Sequence, residues 1–238
     1  DGGDSKMGIT IYANIATTVE NFTIQHAHGS SGGAIYSAGV LTLNNVIIRN
    51  NRTDSVNSGA GLRLISASNT VLNNTVITDN ISSTSAVYAA HGPSGALTIN
   101  NSFIGNNQGI GVYLTYGSLT VTNSTIANNT GTGISSAMSG ATIIVQNSTI
   151  AHNDAYGLYV YSGAAATVRN SILAHNTTTD CRGTIATSDH NLISNTTNCS
   201  LASGTGNLLQ ADPRIPDVPV GTLSYFALEV DSPAIDAG

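Results

Sequence analysis

The sequence predicts an all-β fold, a parallel β-helix of about seven to eight coils followed by a non-repetitive C-terminal segment. A frame that is clearest at residues 119–129, LTVTNSTIANN, recurs along the chain at intervals of about 22 to 29 residues. Every copy carries an aliphatic residue two positions before its first asparagine and another three positions after it. Such a period with aliphatic residues at constant positions is typical of a solenoid. The asparagines that define the frame are Asn21, Asn45, Asn74, Asn101, Asn123, Asn147 and Asn170.

Each coil is predicted to contain three short strands separated by Gly, Asn and Ser. One strand is led by a small residue, the second ends in the frame asparagine, and the third follows that bend. Because the same faces recur once per coil, like residues are expected to stack from coil to coil rather than form a meander. Alternation points every second side chain inward. The inward residues of the strands led by small residues are Ile35, Leu62, Val87, Val112, Ile134 and Leu158.

The seven frame asparagines are interpreted as structural. Asparagine tolerates the left-handed backbone conformation that a sharp bend requires. Its side-chain amide can also bond to the same amide one coil away, which would form an asparagine ladder.

Residues 1–196 are predicted to form the β-helix, and residues 197–238 an irregular segment packed on its side or end. All the prolines except Pro93 lie in that C-terminal segment. The two cysteines, Cys181 and Cys199, are close in sequence and favour one disulfide and an oxidising compartment. Two free buried thiols are the alternative. Asp1 is consistent with a mature or trimmed chain. The expected disulfide favours an extracellular or cell-surface location.

The composition argues against several classes of partner. Charged residues make up 8% of the chain, and the net charge of −6 includes no basic run, so nucleic acid is an unexpected partner. No apolar run approaches 18 residues, so no membrane span is predicted. No cofactor is predicted either.

The C-terminal part resembles a known family. The stretches DCRGTIATSDHNLISNTTNC, NLLQADPRI and ALEVDSPAIDAG are similar to the choice-of-anchor Q domain proteins, and GGAIYSAGVLTLNNVIIRNN is similar to their repeats. The resemblance implies a right-handed parallel β-helix like that of pectate lyases, in a bacterial secreted or surface protein. It implies no catalytic residues.

The candidate binding surface is a column on the outward side of the strands led by small residues. Tyrosines in a row can stack on sugar rings or bury against a neighbouring molecule. The alternative is that tyrosine suits exposed strands and the repeat copies it. The column consists of Tyr36, Arg63, Tyr88, Tyr113 and Tyr159, with Tyr161 two residues further on.

A catalytic or metal site is not predicted. Glycoside hydrolysis needs two carboxyl groups at a set separation, and the acidic residues fall in different coils or columns. His152 and His175 share a column in adjacent coils, about 5 Å apart, but no third ligand is evident for zinc. The sequence therefore favours a structural or adhesive rod, with subunits that stack head to tail into a filament. A polysaccharide-active lyase or hydrolase and a non-catalytic glycan-binding module stay open.

Overall fold

A computed structural model describes residues 1–4, 6–66, 69–217 and 225–235. Within these ranges the chain forms three parallel sheets, and each coil contributes a strand to every sheet except the last coil, which has no strand in sheet 2. Every strand pairs in parallel with the strand of the next coil, which confirms the predicted parallel β-helix.

The three sheets are named here in the order in which the chain enters them. Sheet 1 contains Ile9–Ile11, Ile35–Ser37, Gly59–Ser66, Ile81–His91, Gln108–Leu114, Ile134–Ser136, Tyr156–Tyr159, Thr179–Ile185 and Cys199–Leu201, with Arg52–Thr53 paired beside Ile81–His91. Sheet 2 contains Ala16–Glu20, Val40–Asn44, Asn69–Asn73, Ala96–Asn100, Ser118–Thr122, Thr142–Gln146, Ala165–Arg169 and Thr187–Asp189. Sheet 3 contains Thr23–Gln25, Ile47–Arg49, Val76–Thr78, Phe103–Gly105, Thr125–Ala127, Thr149–Ala151, Ile172–Ala174, Leu192–Ile193 and Leu208–Leu209.

The core is a set of aliphatic stacks inside the three sheets. In sheet 2 the register places Ile99 beside Val121 and Val121 beside Val145, and all three side chains are fully buried. Sheet 3 stacks Ile104 on Ile126 in the same way. Burying one such side chain contributes about 1.5–3 kcal/mol, so the stacks supply most of the stabilisation. The predicted inward residues of sheet 1 are fully buried: Ile35, Leu62, Val87, Val112, Ile134 and Leu158.

The frame asparagines adopt the predicted bend but do not form the predicted hydrogen-bonded ladder. All seven have φ between 48° and 55°, the left-handed conformation. Their side chains are exposed at the corner. Among the described residues, one side-chain bond links members of this column, from Asn45 Nδ2 to Asn21 Oδ1 at 3.2 Å. Exposed amides are free to bond to water, so burial does not force them to pair with each other.

A buried asparagine ladder lies instead at the corner between sheets 3 and 1. Each side-chain amide donates to the side-chain oxygen one coil further on, at 2.9 to 3.0 Å. The last amide donates to the Asp180 carboxylate at 2.9 Å. These side chains have no water to bond to, so pairing is obligatory. The buried asparagine ladder consists of Asn51, Asn80, Asn107, Asn129, Asn153 and Asn176.

Glycine next to the ladder is required by close packing. A Cβ on Gly133 would lie 2.8 Å from the Asn153 side-chain nitrogen and 2.7 Å from the Gly157 carbonyl oxygen. Gly111 and Gly157 have the same relation to Asn129 and Asn176. The small residue at the start of the sheet 1 strand therefore makes room for the ladder.

The coils continue past the predicted boundary at residue 196. Cys199–Leu201 pairs with Gly183, Thr184 and Ile185, and Leu208–Leu209 pairs with Leu192–Ile193. The last coil lacks the frame asparagine and the aliphatic pattern around it, so the repeat in the sequence does not reveal it. The predicted disulfide is present, and it joins Cys181 to Cys199 with their Cα atoms 5.2 Å apart.

Residues 211–217 and 225–235, called the strap below, pack on the outer face of sheet 3. Phe226 and Ile215 are buried there against Phe103, Ala127 and Ala174. The exposed large hydrophobic residues in this part of the chain are Leu209, Tyr225, Val230 and Ile235. Within the described ranges, no helix is long and apolar enough to cross a membrane.

Candidate functional site

Sheet 1 brings the predicted tyrosines and arginine into one outward column. Strand register aligns Tyr36 with Arg63, Arg63 with Tyr88, and Tyr88 with Tyr113. Ser135 follows, then Tyr159. Tyr159 is paired with Arg182, which is the last member of the column. Arg182 is not among the residues predicted from the sequence. We call this set the tyrosine–arginine column.

Arg182 was missed because its strand does not carry the local repeat signature. The strand Thr179–Ile185 has Asp180 where the preceding coils have glycine, so it lacks the glycine that marks the other strands. The interval from Tyr159 to Arg182 matches that of the neighbouring coils, and this spacing is the feature of the sequence that could identify Arg182 as a member of the column.

The N-terminal half of the column is largely packed against itself. The Arg63 guanidinium lies 5.7 Å from the centre of the Tyr36 ring, and its Nη1 donates to the Ser31 carbonyl at 3.1 Å. Tyr88 and Tyr113 stack with ring centroids 5.4 Å apart. Tyr88 is only 7% exposed. Burial raises the pKa of the Tyr88 hydroxyl, the charge of Tyr113 raises it further, and Arg63 opposes both. Tyr88 therefore lies in the outward column but is enclosed by its neighbours.

The C-terminal half presents an aromatic and cationic cluster. The Arg182 guanidinium lies 5.0 Å from the Tyr159 ring centre and 5.3 Å from that of Tyr156. Its Nη1 donates to the Tyr156 hydroxyl at 2.7 Å. The two tyrosine rings are 5.7 Å apart. Among the described residues, no carboxylate forms an ion pair with Arg182.

This cluster lines an open cavity of about 640 Å³, called the arginine cavity below. Tyr161, predicted from the sequence, lies at its rim and is 43% exposed. No carboxylate and no imidazole is found among the described residues that line it. The lining consists of Tyr156, Tyr159, Val160, Tyr161, Ser162, Gly163, Ala164, Arg182, Gly183, Thr184 and Asn198.

The two histidines of the shared column face the strap rather than this cavity. The rings of His152 and His175 have centroids 5.0 Å apart, close to the predicted separation. His175 Nε2 lies 3.1 Å from an Asp212 carboxylate oxygen. In the described parts of the chain, no group of three His, Cys, Asp or Glu side chains is placed to hold a metal ion.

Three parallel sheets wound around one core define the protein as a β-helix, with an aromatic and cationic column on one face. The chain belongs to the family of the right handed beta helix region, whose model matches residues 7–173 and, in an overlapping match, residues 80–212. The narrower resemblance to choice-of-anchor Q domain proteins stays a prediction.

Among solved structures, the chain is similar to the A-module of mannuronan C-5 epimerase AlgE6 of Azotobacter vinelandii. The sequence identity is 14%, the alignment covers 82% of this chain and 74% of the epimerase module, and the TM-score is 0.37. No curated protein matches the sequence.

Proposed function

We propose that this protein is an extracellular structural or adhesive rod that binds polysaccharide through the arginine cavity. The observation that carries the proposal is the cluster of Tyr156, Tyr159 and Arg182 in an open cavity of about 640 Å³. The disulfide supports the extracellular location, since such bonds persist in oxidising compartments.

The chemistry of the cluster fits a sugar that carries an acidic group. Tyrosine rings offer apolar faces with a polar edge, which suits sugar rings. The Arg182 guanidinium keeps donors available, because one of them is engaged by the Tyr156 hydroxyl and none by a carboxylate of the described residues. Arginine binds planar carboxylates with two parallel hydrogen bonds, so a uronic acid polymer is the favoured ligand.

Binding is favoured over hydrolysis by what lines the cavity. Hydrolysis of a glycosidic bond uses two carboxyl groups, one on each side of the bond. The described lining of the arginine cavity includes neither a carboxylate nor a histidine. A lyase or hydrolase is the alternative, and it predicts that polymer is consumed.

The test is calorimetric titration with a short polyuronate and a neutral glucan of equal length. We expect the polyuronate to bind, and Arg182→Gln and Tyr159→Ala to weaken binding about tenfold or more. Arg182→Lys should weaken it too, because lysine keeps the charge but loses the paired geometry. Tyr12→Ala is the matched control, because Tyr12 is 73% exposed and lies outside the cavity.

Unchanged affinity in Arg182→Gln, or no binding of either polymer, would contradict the proposal. Formation of shorter chains or new reducing ends would favour the enzymatic alternative.

A head-to-tail assembly of the rods is a second proposal, and the ends of the core support it. Ile9 and Val19 in the first coil and Leu201 in the last pack on the core but are only partly buried. Phe22, beside the first coil, is 58% exposed. A contact between the first coil of one rod and the last coil of the next leaves the outer ends free. Further rods can then add, which produces a filament.

Light scattering should then show a mass that rises with protein concentration, and this rise should be smaller in Phe22→Ser. A constant monomer mass would contradict assembly.

A further inference from the structure

The strap covers a trough on sheet 3 that is lined by small residues. Register stacks Gly105, Ala127, Ala151 and Ala174 in four successive coils. The preceding coil has Thr78 in this column, so the trough begins at Gly105. Side chains from both parts of the strap fill it, Phe226 at 7% exposure and Ile215 at 6%.

Two histidines stand beside the trough at positions where the backbone does not call for histidine. His152 and His175 have φ of 54° and 55°, the same left-handed bend that Asn106 and Asn128 occupy in earlier coils. Asparagine and histidine both adopt this conformation more readily than most residues, so the backbone permits a histidine here but does not require one. What the two histidines gain is contact with the strap.

The contacts are made by both rings. His175 Nε2 lies 3.1 Å from Asp212 Oδ1, and His152 Nδ1 lies 4.0 Å from Asp217 Oδ1. The Phe226 ring packs on His152 with centroids 5.3 Å apart. His152 Nε2 is buried without a hydrogen-bond partner among the described residues.

We propose that the strap is a pH-dependent clasp, docked on sheet 3 near neutral pH and released from it on mild acidification. His152 is the sensing group, because it is enclosed between the strap, the neighbouring imidazole and the trough. Release would expose the apolar column from Gly105 to Ala174, which the strap keeps from water.

The direction of the effect follows from the groups that face His152. Burial lowers the pKa of His152, and the charge of His175 lowers it further, while Asp217, the Pro216 backbone and Asp180 oppose the change. In the released state the ring is exposed and returns to its ordinary pKa near 6.5. The released state therefore binds more protons below that pH, so docking weakens as pH falls through and below about 6.5.

The other charged groups do not reverse this sign within the same pH range. His175 Nε2 lies 3.1 Å from Asp212 Oδ1, and a charged His152 would stand with its ring centroid 5.0 Å from that of His175. The Arg214 backbone N–H lowers the pKa of Asp212, burial opposes this, and His175 lowers it further, so that carboxylate protonates only below its ordinary 3.8. Arg214 pairs with Asp231 inside the strap.

The test is hydrogen exchange of the whole protein at pH 7.5 and pH 5.5, corrected for the intrinsic exchange rate at each pH. We expect protection of residues 211–217 and 225–235 to fall about threefold or more at the lower pH. Strands of sheet 1 such as Gln108–Leu114 should stay protected.

The decisive variant is His152→Asn, because asparagine occupies this bend in other coils and leaves the backbone unstrained. It should abolish the pH difference in the strap. His26→Asn is the matched control: it changes a left-handed histidine that contacts Asp1 rather than the strap, and the pH difference should persist.

His175→Asn should lower strap protection at both pH values, because the contact with Asp212 is lost. Three results would overturn the proposal. They are equal strap protection at both pH values in the unmodified protein, an undiminished pH difference in His152→Asn, and a loss of protection throughout the coils at pH 5.5.

Discussion

At the residue scale, two columns of asparagine recur once per coil but have different roles. The frame asparagines make a left-handed bend and expose their side chains. The buried asparagine ladder satisfies backbone groups at another corner. Asn107 illustrates this, since its amide donates to the Ile77 and Gly105 carbonyls at 3.0 Å and its oxygen accepts from the Asn80 backbone N–H at 3.0 Å.

These roles predict very different costs of substitution. Asn107→Ala leaves buried carbonyls and an N–H group unpaired, so we expect a loss of about 3 kcal/mol in the free energy of unfolding. Asn123→Ala should cost about 1 kcal/mol, because alanine is strained in the left-handed bend. Asn123→Gly should change little. Urea unfolding of the three variants measures the difference. Equal losses in Asn107→Ala and Asn123→Ala would contradict the assigned roles.

At the element scale, three glycines of the sheet 1 coils, Gly111, Gly133 and Gly157, are limited in size by the ladder asparagine of the next coil. The nearest atoms to a Cβ on Gly133 belong to a backbone carbonyl and to the Asn153 amide, neither of which can move without losing a hydrogen bond. Strand position and ladder geometry are therefore coupled.

This coupling predicts that Gly133→Ala destabilises the protein by about 1–3 kcal/mol, as overpacking does in other cores. Gly92→Ala is the control. No atom lies within 4 Å of a Cβ at Gly92, so this variant should be neutral or up to about 1 kcal/mol more stable. Thermal unfolding monitored by circular dichroism compares the two. A Gly133→Ala variant as stable as the parent would show that the coils shift freely past the ladder.

At the scale of the whole molecule, each coil contacts mainly its neighbours, so perturbations should stay local. The Cys181–Cys199 disulfide ties the last strand of sheet 1 to the preceding coil. Its removal therefore acts on one end of the rod.

We expect replacement of both cysteines by alanine to cost about 3 kcal/mol, the entropy that a loop of this length loses on closure. Hydrogen exchange should show faster opening of Cys199–Leu201 and Leu208–Leu209, with Ala96–Asn100 unaffected. Chemical reduction of the unmodified protein should reproduce the pattern. Equal loss of protection in every coil would mean that the rod unfolds as a single cooperative unit.

The sequence by itself determined the coil, its three strands, the aliphatic stacks and the disulfide. A solenoid repeats one set of local contacts, so residues at the same position of successive repeats lie next to each other in space. The period of the sequence therefore gives the neighbours of each residue. Tertiary structure decided which asparagine column is buried, because the depth of a corner depends on the coils above and below it. It also decided that Tyr88 is enclosed, that Arg182 joins Tyr156 and Tyr159, and that the strap lies beside His152. The strap lies outside the repeated frame, where no period relates sequence position to position in space. Within the column, the period gives the register of Tyr88 and Arg182 but not how deeply each side chain is enclosed by its neighbours.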